Sequence, residues 1–320
     1  MIGFDVRLWR SCLLVGSLLG IAPVVELRAE QPPAPFVAPK PAPETQVQKT
    51  AEERGINPCD TPDPGFGNYG HWEQGINMGQ FIMPLQGGVK SNGDFDVMIH
   101  FHGHEPARKE WVKVMDRAVL VGIDLGLGSG SYETAFQAPD VFPRLVDSIE
   151  RAVAKKAGRD SAHARLIGLS AWSAGYGALQ WILGQDYAKK RVDTVILLDG
   201  LHCGYTGPAI NGQQIAPFTA FAKLAASGDR LMFVSHSSII PPDYASTTET
   251  ASYLIHEVGG TPHAVHGTGP AGMDLILRYS KANFHVRGYA GNDKMDHCAQ
   301  IVLYGDVLKV HVKPRWSTRR

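Results

Sequence analysis

The sequence predicts an α/β fold: a mostly parallel central sheet with helices on both faces, three layers in all. Two observations predict it. From about residue 78, short apolar runs alternate with helical patterns about six times. The apolar runs are continuous rather than alternating, which means burial on both faces and therefore parallel strands covered by helices. Length and composition allow this, because 320 residues with 44% apolar content can bury a large core.

The N-terminus reads as an export signal over residues 1–29. Arg7 and Arg10 precede an apolar run from about Cys12 to Val25, and Ala29 offers a small residue before a cut. The run is short for a membrane span, which needs roughly 20 residues. A mature chain beginning near Glu30, periplasmic or extracellular, is expected; an uncleaved anchor is the alternative. Cys12 lies inside the run, not after it, so a lipid-modified cysteine is not expected. Residues 30–58 form a spacer. Prolines at 32, 33, 35, 39, 41 and 43 remove donors and lock φ, so this piece joins neither helix nor ladder. One catalytic domain is expected over residues 59–320.

Within it, 59–94 is rich in Gly, Pro and Asn and supplies one or two edge strands, such as "GQFIMPL". "FDVMIHFHG" (95–103) reads as a buried strand and "PARKEWVKVMDRA" (106–118) as a helix. "AVLVGID" is a strand, followed by the Gly/Ser-rich rim loop "GLGSGSYETAF". "PDVFPRLVDSIERAVAKKAG" is a helix, with Pro139 early and Gly158 at its end. "ARLIGLS" and "VDTVILLD" are strands around the helix "AGYGALQWILGQ". A helix at roughly 213–227 leads to the strand "RLMFVSH". "STTETASYLIHEVGG" is a helix with a Ser or Thr cap, a Glu in its first turn and a Gly stop. "ANFHVRGYA" is a strand and "HCAQIVLYGDVLK" the last helix. The basic end, "KPRWSTRR", reads as a solvated tail.

Charge narrows the function classes. Lys+Arg and Asp+Glu both number 31, so the formal charge is zero, without the basic excess of a nucleic-acid partner. "GLGSGS" is not a phosphate cradle, since no Lys follows its glycines.

Attention falls on "ARLIGLSAWSAGYGALQWIL" (164–183). Ser173 follows a strand and opens a helix. In a parallel sheet, ligands gather at the carboxyl ends of strands. A nucleophile at such a corner sits on a strained turn, so residues two away must be small; here they are Ala171 and Gly175. Gly177 allows close helix-to-strand packing. The N–H of Ala174, at the helix start, can face a negative oxygen. The bland alternative is a helix-capping serine. Ser170, with Gly168 two before it, is a rival nucleophile, but Trp172 two after it is bulky.

This arrangement resembles the α/β-hydrolase nucleophile elbow, G-x-S-x-G, with Ala171 in place of the first Gly. The resemblance covers about residues 80–312. "HFHGHE" is similar to the family's His-Gly segment, which implies a second oxyanion donor at the N–H of His104, with Gly103 permitting the close approach. "GNDKMDHCAQ" is similar to the segment that carries the catalytic histidine, which implies His297. For the acid, the usual position falls near Ile239, where no carboxylate stands. Asp199, ending a buried strand, is favoured; Asp243 is the alternative. A carboxylate ending an apolar strand needs a partner to offset its desolvation, and a histidine would serve. The resemblance implies a serine hydrolase acting on an ester or amide through Ser173, His297 and Asp199, with an acyl-enzyme and no cofactor or metal.

If Asp199 meets His297, Cys203 and Cys298 come near one another, and a Cys203–Cys298 bridge would brace both loops. The competing pairings join Cys59 to either one. Pocket candidates are Trp172, Tyr132, His102 and Tyr205, with Tyr176 and Tyr244 also near the rim. The absence of a long apolar insertion leans toward a small-molecule or polymeric acyl substrate, with no nucleic acid and no membrane insertion after processing. Nothing in the sequence sets an oligomeric state. Two other readings stand beside this one. His100, His102 and His104 alternate and would share one face of an extended strand, as metal ligands do, with His202, His236 and His297 as further ligands. A binding protein that has lost catalysis on the same fold is the third.

Overall fold

The computed structural model describes residues 59–319, and these share one nine-stranded sheet. The leader and the spacer lie outside the described residues.

The chain enters as a short edge strand, β1 (Gln80–Ile82), and then as β2 (Asp94–Phe101), buried along almost its whole length. The helix His104–Trp111 leads to β3 (Val119–Ile123). Helices Ser129–Phe136 and Val141–Lys156 lead to β4 (His163–Trp172). Helices Tyr176–Gly184 and Asp186–Arg191 lead to β5 (Val192–Leu198). A small hairpin, β6 (Tyr205–Thr206) and β7 (Ala209–Ile210), precedes the helix Gly212–Ala226 and β8 (Leu231–His236). After the helix Thr247–Glu257 come β9 (His263–Thr268), β10 (Asp274–Lys281) and β11 (Phe284–Tyr289). Helical segments from Lys294 to Thr318 end the described chain.

The sheet order is β1-β3-β2-β4-β5-β8-β11-β10-β9. β3, β2, β4, β5, β8 and β11 run parallel, and β1 and β10 pair antiparallel at their neighbours. This is the order and direction of the α/β-hydrolase fold, with three layers. Two hydrophobic cores lie on opposite faces. On β2, Val97, Ile99 and Phe101 join the core that includes Phe142, Leu179 and Phe218; Met98 joins the other, with Trp111, Tyr304 and Trp316. Each parallel strand thus contributes apolar side chains to both faces, which is why these strands read as unbroken apolar runs.

The structure departs from the sequence reading in four places. The first helix stops at Trp111, not near Ala118, and the chain turns there to enter β3. The Gly/Ser-rich rim loop forms the helix Ser129–Phe136, held by the buried rings of Tyr132 and Phe136. Strands β9 and β10 extend the sheet as an antiparallel meander with no clear apolar signature, since β9 is largely exposed. The basic tail docks instead of floating: Trp316 is buried and its Nε1 donates to Thr194 Oγ1 (3.1 Å), while Arg315 and Arg319 pair with Asp193.

Candidate active site

β4 ends at Trp172, and a single 3₁₀ turn, Ser173–Gly175, joins it to the helix Tyr176–Gly184. Ser173 has φ of 50°. A non-glycine residue in the left-handed region is uncommon and costs about 1–3 kcal/mol, so the surroundings must hold it there. They do so by close contact. A Cβ at Gly175 would lie 2.2 Å from the Phe101 carbonyl oxygen at the end of β2. One at Gly200 would lie 2.6 Å from the Ser173 carbonyl oxygen. Three strand ends therefore interlock around the serine. Gly177 packs against Ser129 and Glu133 on a neighbouring helix, not against a strand as the sequence suggested. Ser170 is fully buried, bonded to His100 Nδ1 (2.8 Å) and Tyr304 OH (3.0 Å), so it is closed to a substrate.

Asp199 follows β5, also at positive φ (43°), and is 2% exposed. Its Oδ2 accepts from His297 Nδ1 at 2.8 Å. Its Oδ1 accepts from Ser237 N (2.8 Å), Ser237 Oγ (2.9 Å) and Thr247 Oγ1 (2.6 Å). Burial alone would raise this carboxyl. The His297 bond and charge, with the Thr247 and Ser237 donors, outweigh burial and hold its pKa down at about 2. An ionised acceptor at Nδ1 leaves His297 Nε2 as the basic nitrogen of the neutral ring. Asp243 lies exposed on the loop after β8.

His297 sits on the helix Lys294–Ala299. Asp293 caps its start and Asp296 closes the capping box. Trp172 stacks between two imidazoles, His297 (5.1 Å between centroids) and His102 (5.4 Å), and its Nε1 donates to the His297 carbonyl (3.2 Å). Trp172 is thus a plate that supports the base.

Ser173, Asp199 and His297 line one cavity of about 420 Å³. Ile239, Ile240, Pro241, Pro242 and Tyr244 form its apolar wall. His202 and the exposed Lys294 supply polar lining. Among the described residues, Lys294 makes no ion pair. Sequence reasoning missed His202 and Lys294 as lining. The signal available was their position in loops that follow β5 and β11 at the carboxyl edge.

Several expected residues are placed elsewhere. Tyr132 is fully buried, and its hydroxyl engages Leu125 N (3.0 Å), His102 Nδ1 (3.1 Å) and the Gly126 carbonyl (3.3 Å). It braces a loop and does not line the cavity. Tyr205 lies on the β6–β7 hairpin, donating to Glu249 (2.8 Å). His102 stands behind Trp172. The proposed second oxyanion donor is engaged as well: Gly103 N donates to Asp124 Oδ1 (2.6 Å) and His104 N approaches Oδ2 (3.4 Å). The cause is backbone geometry. His102 (φ 69°) and Gly103 (φ 75°) curl the chain after β2 toward the carboxylate that ends β3.

That curl also disperses the three histidines. His100 is buried in the core, its Nδ1 on Ser170 and its Nε2 donating to the His102 carbonyl (2.9 Å). His104 Nδ1 bonds Asp124, and its Nε2 accepts from Gln80 (2.7 Å). The three side chains have separate partners, and among the described residues no three His, Cys, Asp or Glu side chains converge as metal ligands.

The disulfide joins Cys59 to Cys298, with Cα atoms 4.8 Å apart, and Cys203 is a free buried thiol. The Cys203–Cys298 bridge is therefore corrected. Cys203 lies at the foot of the hairpin, paired with Ala245, while Cys298 faces the N-terminal segment. Among the described residues, no helix is long and apolar enough to cross a membrane.

No protein-family model matches the sequence, and no curated protein matches it. The chain is similar to several solved structures at low identity. One is an IroE-like serine hydrolase from Shewanella oneidensis: 10% identity, 76% of this chain and 80% of that one, TM-score 0.43. Another is an ester-hydrolase from the metagenome of Lake Arreo: 12% identity, 83% and 88% covered, TM-score 0.43. A third is a poly(3-hydroxybutyrate) depolymerase from Bordetella parapertussis: 14% identity, 75% and 83% covered, TM-score 0.41. Against an uncharacterised protein from Capnocytophaga ochracea, at 10% identity and TM-score 0.40, the match spans 60% of that protein's length.

Proposed function

We propose that the protein is an exported serine hydrolase that cleaves an ester or amide through Ser173, His297 and Asp199. The observation that carries this reading is the strained Ser173, held at φ 50° on the same cavity as an imidazole whose Nδ1 is bonded to a buried, ionised aspartate.

In this reading Asp199 keeps the Nδ1–H tautomer of His297 and supports its cationic form. His297 Nε2 takes the Ser173 proton as Oγ attacks the acyl carbon. The Ala174 N–H stabilises the oxyanion. His297 then gives the proton to the departing alkoxide or amine, and water repeats the sequence to free the acid. Gly103 and His104 have no part, because Asp124 holds their N–H groups. The apolar wall at 239–242 suits the carbon chain of a small acyl group, and Lys294 suits a substrate carrying negative charge nearby. The Cys59–Cys298 bridge supports export, since disulfides persist in oxidising compartments.

The test is labelling with a fluorophosphonate and turnover of p-nitrophenyl esters. Wild type is expected to be labelled at Ser173. Ser173→Ala loses the label and about four to six powers of ten in kcat, with unchanged circular dichroism. Label on another residue, or an unchanged rate, rejects the reading.

A further inference from the structure

A second cavity, larger than the first at about 550 Å³, lies between the helices Ser129–Phe136, Tyr176–Gly184 and Gly212–Ala226. Its lining is unlike that of the first. Six amide side chains contribute: Gln137, Gln180, Gln185, Asn211, Gln213 and Gln214. Trp181 is the aromatic residue of the lining and Glu133 the charged one. Most ligand cavities place only a few polar side chains in their lining; here seven of the ten lining residues carry one.

Three of the amides are oriented by the backbone. Gln214 Oε1 accepts from Gly204 N (2.6 Å), Gln185 Nε2 donates to the Phe136 carbonyl (3.1 Å), and Asn211 Oδ1 caps the helix Gly212–Ala226 through Gln213 N and Gln214 N. Gln214 Nε2 and Asn211 Nδ2 make no hydrogen bond among the described residues and stay available to a ligand. Gln185 Oε1 and Trp181 Nε1 are buried polar atoms without a partner among the described residues. The side-chain amides of Gln137, Gln180 and Gln213 make no hydrogen bond among the described residues.

The chemistry selects a ligand class. Amides present donor and acceptor side by side and carry no charge, which matches neighbouring hydroxyls that both give and accept. An anion would call for Lys or Arg, and none lines this cavity. An apolar peptide would call for aliphatic pockets, and Pro217 is the one aliphatic side chain in this lining. An indole beside polar donors gives a flat apolar surface for the C–H face of a sugar ring. We propose that this cavity is a binding site for a neutral carbohydrate chain, separate from the Ser173 cavity. Trp181 is eight residues beyond Ser173, about 12 Å at a helical rise of 1.5 Å per residue. A glycan held there stays within reach of the nucleophile, yet binding does not depend on it.

The experiment titrates full-length protein with cellohexaose, xylohexaose, maltohexaose and mannohexaose by calorimetry, with a neutral hexapeptide of glycine and serine as control. At least one hexasaccharide is expected to bind. The Gln180→Ala/Gln213→Ala variant, which alters amides without bonds in the fold, should bind it at least about tenfold more weakly, a loss of about 1.4 kcal/mol. The same variant should turn over p-nitrophenyl acetate as wild type does, and Ser173→Ala should bind the sugar as wild type does. Trp181→Ala should lose binding too, but its ring also packs on the core, so the amide variant decides. No heat from any of the four sugars at about 10 mM, equal binding by the amide variant, or tighter binding of the peptide overturns the proposal.

Discussion

Ser173 and Asp199 share a backbone feature: both are non-glycine residues at positive φ, and each directly follows the last residue of a parallel strand. Strain at two adjacent strand ends is maintained only where neighbours over-determine it, and here Gly175 and Gly200 permit the contacts that do so. Asp199→Asn keeps the size but removes the charge that fixes the His297 tautomer, so kcat is expected to fall by about three to four powers of ten. Asp243→Asn, on an exposed loop, should leave kcat within about twofold, as surface changes generally do. Equal losses in the two variants would transfer the acid role away from Asp199. At this scale the sequence could mark Asp199, as a carboxylate ending an apolar strand, and Ser173, by its small neighbours. It could not show that Gly103 and His104 are bonded to Asp124, because that depends on two curled φ angles and a carboxylate twenty residues away.

At the scale of elements, the helix Lys294–Ala299 ties the base to its surroundings. Asp293 Oδ1 accepts from Met295 N (2.7 Å) and Asp296 N (3.0 Å), and Asp296 Oδ2 accepts from Asp293 N (3.2 Å). Burial pushes the Asp296 carboxyl up to about 6; the Asp293 charge adds to this, against the Asp293 and Asn292 N–H groups, which lower it. A carboxyl whose folded pKa lies above its unfolded value destabilises the fold when ionised. The penalty is absent below about pH 4, grows through pH 6 and is complete above it. Asp296→Asn should therefore melt higher than wild type at pH 7.5, with the gap closing as pH falls toward 4.5. Thermal denaturation at pH 4.5, 6 and 7.5 checks this, and a gap independent of pH would contradict it. Asp199 runs the opposite way. Its stabilising share is present above about pH 4 and is lost as pH falls toward 2. The capping box was not read from the sequence, although Asp293 and Asp296 stand three apart before His297. The helix start was set later, at His297, by the apolar pattern that follows it.

At the scale of the whole molecule, one covalent link spans 239 positions, from Cys59 to Cys298, beside the residue proposed as base. Closing so long a loop constrains the unfolded chain, and loss of such a bridge costs about 2–5 kcal/mol. Cys59→Ser is expected to lower the melting temperature markedly and to reduce turnover, whereas Cys203→Ser should affect neither by a comparable amount. Burial pushes the Cys203 thiol up to about 12, so it should resist alkylation until the protein unfolds. Non-reducing peptide mapping that joins Cys203 to either other cysteine would refute this pairing.

What the sequence by itself determined is the layered α/β architecture, the run of parallel strands and the corner that holds Ser173. Those follow from local apolar periodicity and from small residues a few positions apart. What only the tertiary structure decided is the disulfide pairing, the docking of Trp316 on Thr194, the edge strands β9 and β10, and which side chains wall the two cavities. Each of these rests on contacts between residues tens to hundreds of positions apart, and the apolar period of a segment carries no information about which distant segment will lie against it.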